Sequence, residues 1–134
     1  MVEKDAEVFA PLAEAYGMAS GTEEEKAEKE RVMQACLKQA AVAPLEIMEK
    51  CAAALPLFEK LAEKGSVIAV SDAGCAAAIT KAAIEAAWLN VRINVRLIKD
   101  EEFASGLDAQ GRMLLKEGAS LADGIYRAVE KKLQ

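Results

Sequence analysis

The chain has 134 residues, a formal net charge of −5 at pH 7 and 28 alanines, but only one tryptophan, two tyrosines, three phenylalanines and three prolines. This length predicts one domain, 1–134, and the composition favours closely packed α-helices over a β-sandwich. The acidic charge argues against a nucleic-acid partner, and no apolar run is long enough to make the membrane a partner.

Histidine is absent from the sequence. This excludes a Ser–His or Cys–His nucleophile and a histidine-ligated metal site within these residues, so we expect no metal. The three cysteines, Cys36, Cys51 and Cys75, are odd in number and embedded in helical apolar patterns. We therefore expect reduced, packed thiols and a cytoplasmic location. Any proton transfer falls to Asp, Glu, Lys, Tyr, Cys or water.

The first predicted helix covers Val2–Tyr16 and carries an acidic residue on its apolar face. Asp5 lies in the middle of that face, which is formed by Val2, Phe9, Leu12 and Tyr16. Such a carboxylate is either a cap or buried acceptor that holds a neighbouring helix, or a functional group. Both interpretations remain open at this point.

The second predicted helix begins after Thr22, which forms a capping box with Glu25, and continues to about Lys64. Pro44 and Pro56 are expected to kink or divide it. The bundle is thus predicted to consist of long, partly proline-kinked antiparallel helices.

A connector over Gly65–Val70 follows, with a helix-ending glycine and then a short β-branched run. We expect Val67–Val70 to be a buried loop, because four residues are too few to form a sheet alone. Ser71 is then the expected N-cap of the next helix, with Asp72 beside its positive end.

The helix predicted over Ser71–Asp100 has two contrasting faces. At 100° per residue, Asp72 and Asn90 share one face with small and apolar residues, namely Ala76, Ile79, Ala83, Ala87, Asn94 and Leu97. The opposite face carries Lys81, Glu85, Arg92, Arg96 and Lys99 and is expected to meet water. The asparagines on the small-residue face either form hydrogen bonds between helices or contact a ligand.

The last predicted helix covers about Glu101–Leu133. Its expected core side consists of Phe103, Leu107, Leu114, Leu121, Ile125 and Val129. Four glycines interrupt it, and each lowers helix propensity by roughly 1 kcal/mol relative to alanine. They either permit close helix approach or mark a break: Gly106, Gly111, Gly118 and Gly124.

Several motifs together resemble the formiminotetrahydrofolate cyclodeaminase / methenyltetrahydrofolate cyclohydrolase family. The most specific are the SDAG segment Ser71–Gly74 and the later LNVRIN and KD segments. The matching residues are Asp5-Ala6, Phe9, Gly21–Lys26, Pro44-Leu45, Ser71–Gly74, Ala82-Ala83, Leu89–Val91, Asn94 and Lys99-Asp100. Family members carry a further helical portion, with a GGGS segment, before the position of Met1. The resemblance therefore implies an N-terminally truncated domain.

The resemblance implies chemistry on the one-carbon unit that bridges N5 and N10 of tetrahydrofolate. The reaction is hydrolysis of 5,10-methenyltetrahydrofolate or deamination of 5-formiminotetrahydrofolate, with a folate as substrate and no tightly bound cofactor. Asp5 and Asp72 are the catalytic candidates, because a carboxylate on an apolar face acquires a raised pKa. The substrate-binding candidates are Ser71, Asn90, Asn94 and Lys99. The basic residues Arg92, Arg96 and Lys99 either attract the glutamate tail of the folate or are charges that meet water.

Helix geometry limits how these candidates combine. Asp72 and Asn90 are eighteen residues apart, which is about 27 Å at 1.5 Å per residue. A homodimer with antiparallel helices would bring them closer, and we expect one. The alternative to an enzyme is a catalytically inactive helical oligomerisation module that has lost the front of the fold.

Overall fold

The computed structural model describes residues 10–134, except for the side chains of Val67 and Ile68. This part of the chain is all α-helical, as predicted, and contains four helices. The described part of α1 covers residues 10–16, and the other helices are α2 (Glu23–Lys64), α3 (Val67–Val95) and α4 (Glu101–Lys132). Within these residues, no helix combines the length and the apolar character needed to cross a bilayer.

The three long helices pack against one another, and long-range hydrogen bonds show their directions. Lys38 of α2 binds Asp100 at the start of α4, and Lys132 at the end of α4 donates to the carbonyl oxygens of Ala62 and Glu63. Helices α2 and α4 therefore run parallel, and α3 returns between them in the opposite direction. The predicted antiparallel packing is confirmed for the two pairs that are adjacent in sequence.

The N-terminus of α2 has the predicted capping box. The Glu25 backbone N–H donates to the Thr22 hydroxyl at 3.1 Å, and the Thr22 N–H donates to the Glu25 carboxylate at 3.0 Å. Of the two expected effects of the prolines, a kink or a division, the structure excludes division, because Pro44 and Pro56 both lie within one continuous helix. Burial of the α2 face around Pro44, with Ala41 and Leu45, offsets the hydrogen bond that a proline removes.

Thr22→Ala is expected to lower the free energy of unfolding by about 1 kcal/mol, because it removes the side-chain acceptor of the capping box. Thr22→Ser keeps that acceptor and serves as the matched control. Chemical denaturation of the three proteins measures both effects. An equal loss in the alanine and serine variants would show that the hydroxyl is not the stabilising group.

Helix α3 begins five residues earlier than predicted. Its N-cap is Ser66, which makes no side-chain capping bond, and the Val70 N–H already donates to the Ser66 carbonyl at 2.9 Å. The expected buried loop over Val67–Val70 and the expected N-cap at Ser71 are therefore wrong. Valine and isoleucine lower helix propensity only slightly, and burial of Val70 against the core favours the helix.

The core lies where the three long helices meet. Met48 and Leu55 of α2 and Ile84 and Val91 of α3 are its largest fully buried side chains. Helix α4 contributes Leu107, Ala122, Ile125 and Val129. In α1, Leu12 is buried as predicted, but Tyr16 is half exposed and is not a core residue.

The glycines of α4 allow close packing and do not break the helix. A methyl group on Gly111 would overlap the Trp88 ring, and one on Gly118 would lie 2.7 Å from the Ile84 Cδ1 atom. Gly106 and Gly124 have open space at the corresponding position. Two glycines thus bring α3 and α4 together, and two have no such packing role.

Candidate functional site

An open cleft lies beside the second turn of α3, where the SDAG segment is found. It has a volume of about 470 Å³ and is lined from α3 by Ser71, Gly74 and Cys75, and from α4 by Tyr126, Val129 and Glu130, with Leu133 and Gln134 beyond the helix. A methyl group on Gly74 would meet the Val129 side chain at 2.9 Å. The glycine of the motif therefore lets the two walls of the cleft approach each other.

Asp72 follows Ser71 in sequence but does not line this cleft, and its side chain is exposed. Its place in the second turn of α3 means that it is not the first-turn residue that the sequence predicted. The desolvation expected from a small-residue face is not provided by the described part of the chain. A covered Asp72 requires a further element or subunit.

Tyr126 and Glu130 were not identified from the sequence, although they bring a phenol and a carboxylate to the same cleft. They are four residues apart and therefore share one face of α4. That spacing was visible in the sequence. What placed this face beside Ser71 is the packing of α3 on α4, which has no local sequence signal.

The two asparagines lie near the other end of α3. The Asn94 side-chain amide donates to the Ala40 carbonyl of α2 at 3.2 Å and to the Asn90 carbonyl at 3.0 Å. The Asn90 amide donates to the Ala86 carbonyl one turn earlier, and the side chain is exposed. Asn94 thus makes the interhelical bond that was one of the two alternatives, whereas Asn90, among residues 10–134, bonds within its own helix.

The turn between α3 and α4 is held against the first half of α2. The Lys99 ammonium lies 2.7 Å from a Glu30 carboxylate oxygen, and its backbone N–H donates to Gln34. Asp100 caps α4 and accepts a 2.6 Å hydrogen bond from Lys38, which holds the pKa of Asp100 below its ordinary value. These contacts of Lys99 and Asp100 hold the turn on α2.

A charged cluster surrounds Trp88 on the side of α3 that was expected to meet water. Asp108 of α4 accepts hydrogen bonds from Arg112 at 2.6 Å and Arg92 at 2.8 Å. Both guanidinium groups lie 5.7 Å from the centre of the Trp88 ring. The hydrogen bond from Arg112, followed by that from Arg92, lowers the pKa of Asp108. Arg92 thus binds α4, as does Lys81 through Asp123.

Asp108→Asn is expected to destabilise the protein by about 1 kcal/mol at pH 7, because one carboxylate neutralises two arginines. Since the folded-state pKa is lowered, this contribution is present above the ordinary aspartate pKa of about 3.9 and is lost as the pH falls through the lower folded value. The difference in unfolding free energy between the two proteins should shrink on acidification below about pH 4. A difference independent of pH would contradict the role of this carboxylate.

The predicted site residues therefore form two separate groups. Ser71 lines the cleft and Asp72 follows it in sequence, whereas Asn90 and Asn94 lie towards the other end of α3 and Lys99 lies in the turn after it. Along the axis of α3, Asp72 and Asn90 are about 27 Å apart, because a helix rises 1.5 Å per residue. Asp5 lies outside the described residues.

The cysteines differ in their surroundings, and all three are free thiols. Cys36 is buried, and burial raises the pKa of the half-buried Cys51 thiol. Cys75 is exposed, so the prediction of a packed thiol is wrong there. In residues 10–134, no three acidic or cysteine side chains cluster closely enough to hold a metal ion.

Residues 1–112 match the sequence model of the formiminotransferase-cyclodeaminase family. The chain belongs to this family. It is 35% identical over 133 residues to the methenyltetrahydrofolate cyclohydrolase of Methylorubrum extorquens, an alignment that covers 99% of this chain and 64% of the relative. It is also 28% identical over 132 residues to the formimidoyltransferase-cyclodeaminase of Mus musculus, covering 98% of this chain and 24% of that protein.

The fold of this cyclodeaminase-family chain is shared with a crystal structure of formiminotetrahydrofolate cyclodeaminase from Thermotoga maritima. The TM-score is 0.71 at 30% sequence identity, and the match covers 96% of this chain and 58% of the other. The chain thus spans less than two thirds of the length of each of these relatives.

The family motifs have distinct structural positions in this chain. Ser71 and Gly74 line the cleft. Asn94, Lys99 and Asp100 fasten the α3–α4 turn to α2. Two further matching residues, Ala82 and Leu89, line a second open groove of about 590 Å³ between α3 and α4. The SDAG segment is therefore one of the motifs that lie at an open, ligand-sized surface.

Proposed function

We propose that this protein acts in folate one-carbon metabolism on the carbon that bridges N5 and N10 of tetrahydrofolate. Its reaction would be hydrolysis of 5,10-methenyltetrahydrofolate or deamination of 5-formiminotetrahydrofolate. The observation that carries the proposal is the position of Ser71 and Gly74, two residues of the family motif, in the wall of the 470 Å³ cleft. The higher identity to the cyclohydrolase relative, 35% against 28%, favours hydrolysis as the first reaction to test.

The chemistry requires proton transfer at a tetrahedral carbon. In hydrolysis, water adds to the methenyl carbon, a base takes a proton from that water, and the ring opens at one nitrogen. In deamination, N10 attacks the formimino carbon and ammonia leaves after protonation. Asp72, which follows the cleft residue Ser71 in sequence, is the proposed base, with Asp5 as the second carboxylate. A positioned carboxylate that acts as a general acid or base typically raises the reaction rate about 100- to 10,000-fold.

The remaining candidates would bind the substrate. Ser71 offers a hydroxyl in the cleft wall. Asn90 retains a second amide hydrogen and its oxygen for a ligand, because a single bond to Ala86 engages its amide in the described part of the chain. Asn94 uses its amide group in two bonds, so only its oxygen would serve. Lys99 would supply positive charge for the folate carboxylates.

The proposed active form is a cytoplasmic homodimer. Asp72 and Asn90 cannot contact one small molecule within a single copy of α3, because about 27 Å separates them. A second subunit in antiparallel orientation would shorten that separation. No metal ion and no tightly bound cofactor enters the proposed chemistry.

The test is to add 5,10-methenyltetrahydrofolate to the purified chain and follow the loss of its absorbance against buffer alone. Release of ammonia from 5-formiminotetrahydrofolate is measured in parallel. We expect hydrolysis above the buffer rate and saturation with substrate. Absence of both reactions, together with no folate binding in calorimetry, would support the inactive oligomerisation module instead.

A further inference from the structure

Helix α3 has a second apolar face that points away from the core. Ile79, Leu89 and Ile93 expose 70%, 68% and 60% of their surface. With Cys75 and the alanines between them they form what we call the outer α3 stripe: Cys75, Ile79, Ala82, Ala86, Leu89 and Ile93. A contiguous apolar surface of this length is unusual on a monomer and marks an interaction site.

The spacing of the outer α3 stripe indicates the kind of partner. Its residues follow one another at intervals of four, three, four, three and four positions, which is the a/d pattern of two helices in a coiled coil. The buried face of α3, with Val70, Ala77 and Ile84, has no part in it. The stripe therefore fits a single long helix with an apolar face of the same spacing.

The outer α3 stripe has the same order of small and large side chains in both directions along the helix, so it is complementary to an antiparallel copy of itself. About the level of Ile84, Ala82 corresponds to Ala86 and Ile79 to Leu89. Small side chains thus lie at the centre, where two helices can approach closely, and large side chains flank them on both sides. Continuing outward, Cys75 corresponds to Ile93.

The next layer adds charge complementarity. Asp72 corresponds to Arg96, and both side chains are exposed. Neither forms an ion pair with another residue of the described part of the chain. Antiparallel helices would place Asp72, on one flank of the stripe, level with the partner's Arg96 at both ends, whereas parallel helices in register would place like charges at the same level. Like charges at short range are repulsive, so the antiparallel arrangement is favoured.

We propose that the outer α3 stripe is the surface on which a second copy of this chain docks, with the two α3 helices antiparallel about a two-fold axis near Ile84. This inference rests on the proposed homodimer and specifies its surface and register. It does not depend on the folate chemistry.

The register has a consequence for the site. The partner's Asn90 would lie level with Ala78, six residues from Asp72. Along the helix axis this is about 9 Å, compared with about 27 Å within one chain. The two side chains would lie on the same side of the helix pair, so that each site would use one residue from each subunit. The partner helix would also partly cover Asp72.

Sedimentation equilibrium of the full chain tests the surface. We expect a dimer, and we expect Leu89→Arg to raise its dissociation constant at least about tenfold. The two-fold symmetry places one arginine from each subunit in the apolar interface, so two Leu89 contacts are lost. Leu57→Arg on α2 is the matched control, since Leu57 is 63% exposed and lies outside the stripe. Circular dichroism checks that each variant is folded. A monomeric wild type, or equal effects of both variants, would overturn the proposal.

Thiol cross-linking tests the register. Ile93→Cys places a thiol opposite the native Cys75 of the partner, and a short bifunctional maleimide should then give a covalent dimer. The control is Ile93→Cys combined with Cys75→Ala, which retains Cys36 and Cys51 and should stay uncross-linked. Efficient cross-linking of the wild type through Cys75 alone would contradict the antiparallel register. If the variant is cross-linked while the wild-type chain shows neither reaction and no folate binding, the interface stands and the proposed function fails.

Discussion

Replacing Asp72 with asparagine is expected to lower turnover of 5,10-methenyltetrahydrofolate by about 100- to 10,000-fold, the range typical of a lost general base. The amide has nearly the shape of the carboxylate but cannot accept the proton. Because Asp72 is exposed, the free energy of unfolding should change by less than about 0.5 kcal/mol. Steady-state kinetics and chemical denaturation together separate loss of chemistry from loss of fold.

The control for this substitution is Glu117→Gln, which neutralises an exposed carboxylate on α4, away from the cleft. Its turnover should match the wild type. Asp5→Asn is measured alongside, since Asp5 is the second proposed carboxylate. If both aspartate variants retained full turnover while the wild type was active, the catalytic assignment would be wrong and the family membership would stand.

Gly111→Ala is expected to destabilise the protein by about 1–3 kcal/mol. The added methyl group would overlap the Trp88 ring, and the cost of overpacking exceeds the gain of about 1 kcal/mol that alanine brings to a helix. The ring has little freedom to move, because Arg92 and Arg112 lie against it while both bind Asp108. Denaturant unfolding measures the loss.

Gly106→Ala is the matched substitution on the same helix. No atom of the described residues lies within 4 Å of the position that its methyl group would occupy, so the helix-propensity gain of about 1 kcal/mol should appear in full. Trp88 is the only tryptophan in the chain, and its fluorescence should change in the Gly111 variant alone. Equal stabilisation by both substitutions would show that α3 and α4 separate easily at this point.

Much of the fold could be predicted from local signals. The capping box of Thr22 and Glu25, the glycine that ends α2 and the limits of α4 all depend on residues close in sequence. The start of α3 could not be predicted in the same way. Ser71 and Asp72 have the composition of a helix start, but burial of Val70 extends the helix towards Ser66.

The orientation of α3 shows a second limit of sequence patterns. Periodicity identifies apolar faces, but it does not indicate which one packs on the core when a helix has two. Asp72 and Ile79 were expected on the packed face, yet both are exposed, and the core side contains Ala73, Ile84 and Val91. Small residues on both sides of α3 remove the contrast that would have distinguished them.

The candidate site was only partly predictable for the same reason. Motif resemblance identified Ser71 and Gly74, which line the cleft. Tyr126 and Glu130 line that cleft because α4 packs on α3, more than fifty positions earlier in the sequence. No local pattern in a single sequence indicates which faces of α3 and α4 meet.

The two hydrogen bonds from Lys132 to the carbonyl oxygens of Ala62 and Glu63 link the last turn of α4 to the last turn of α2. Fraying of α4 would therefore release carbonyl groups of a helix that ends about seventy residues earlier. Amide hydrogens in the last turns of both helices should exchange with solvent at matched rates, as parts of one cooperative unit. We therefore expect the far end of the bundle to open as a whole rather than one helix at a time.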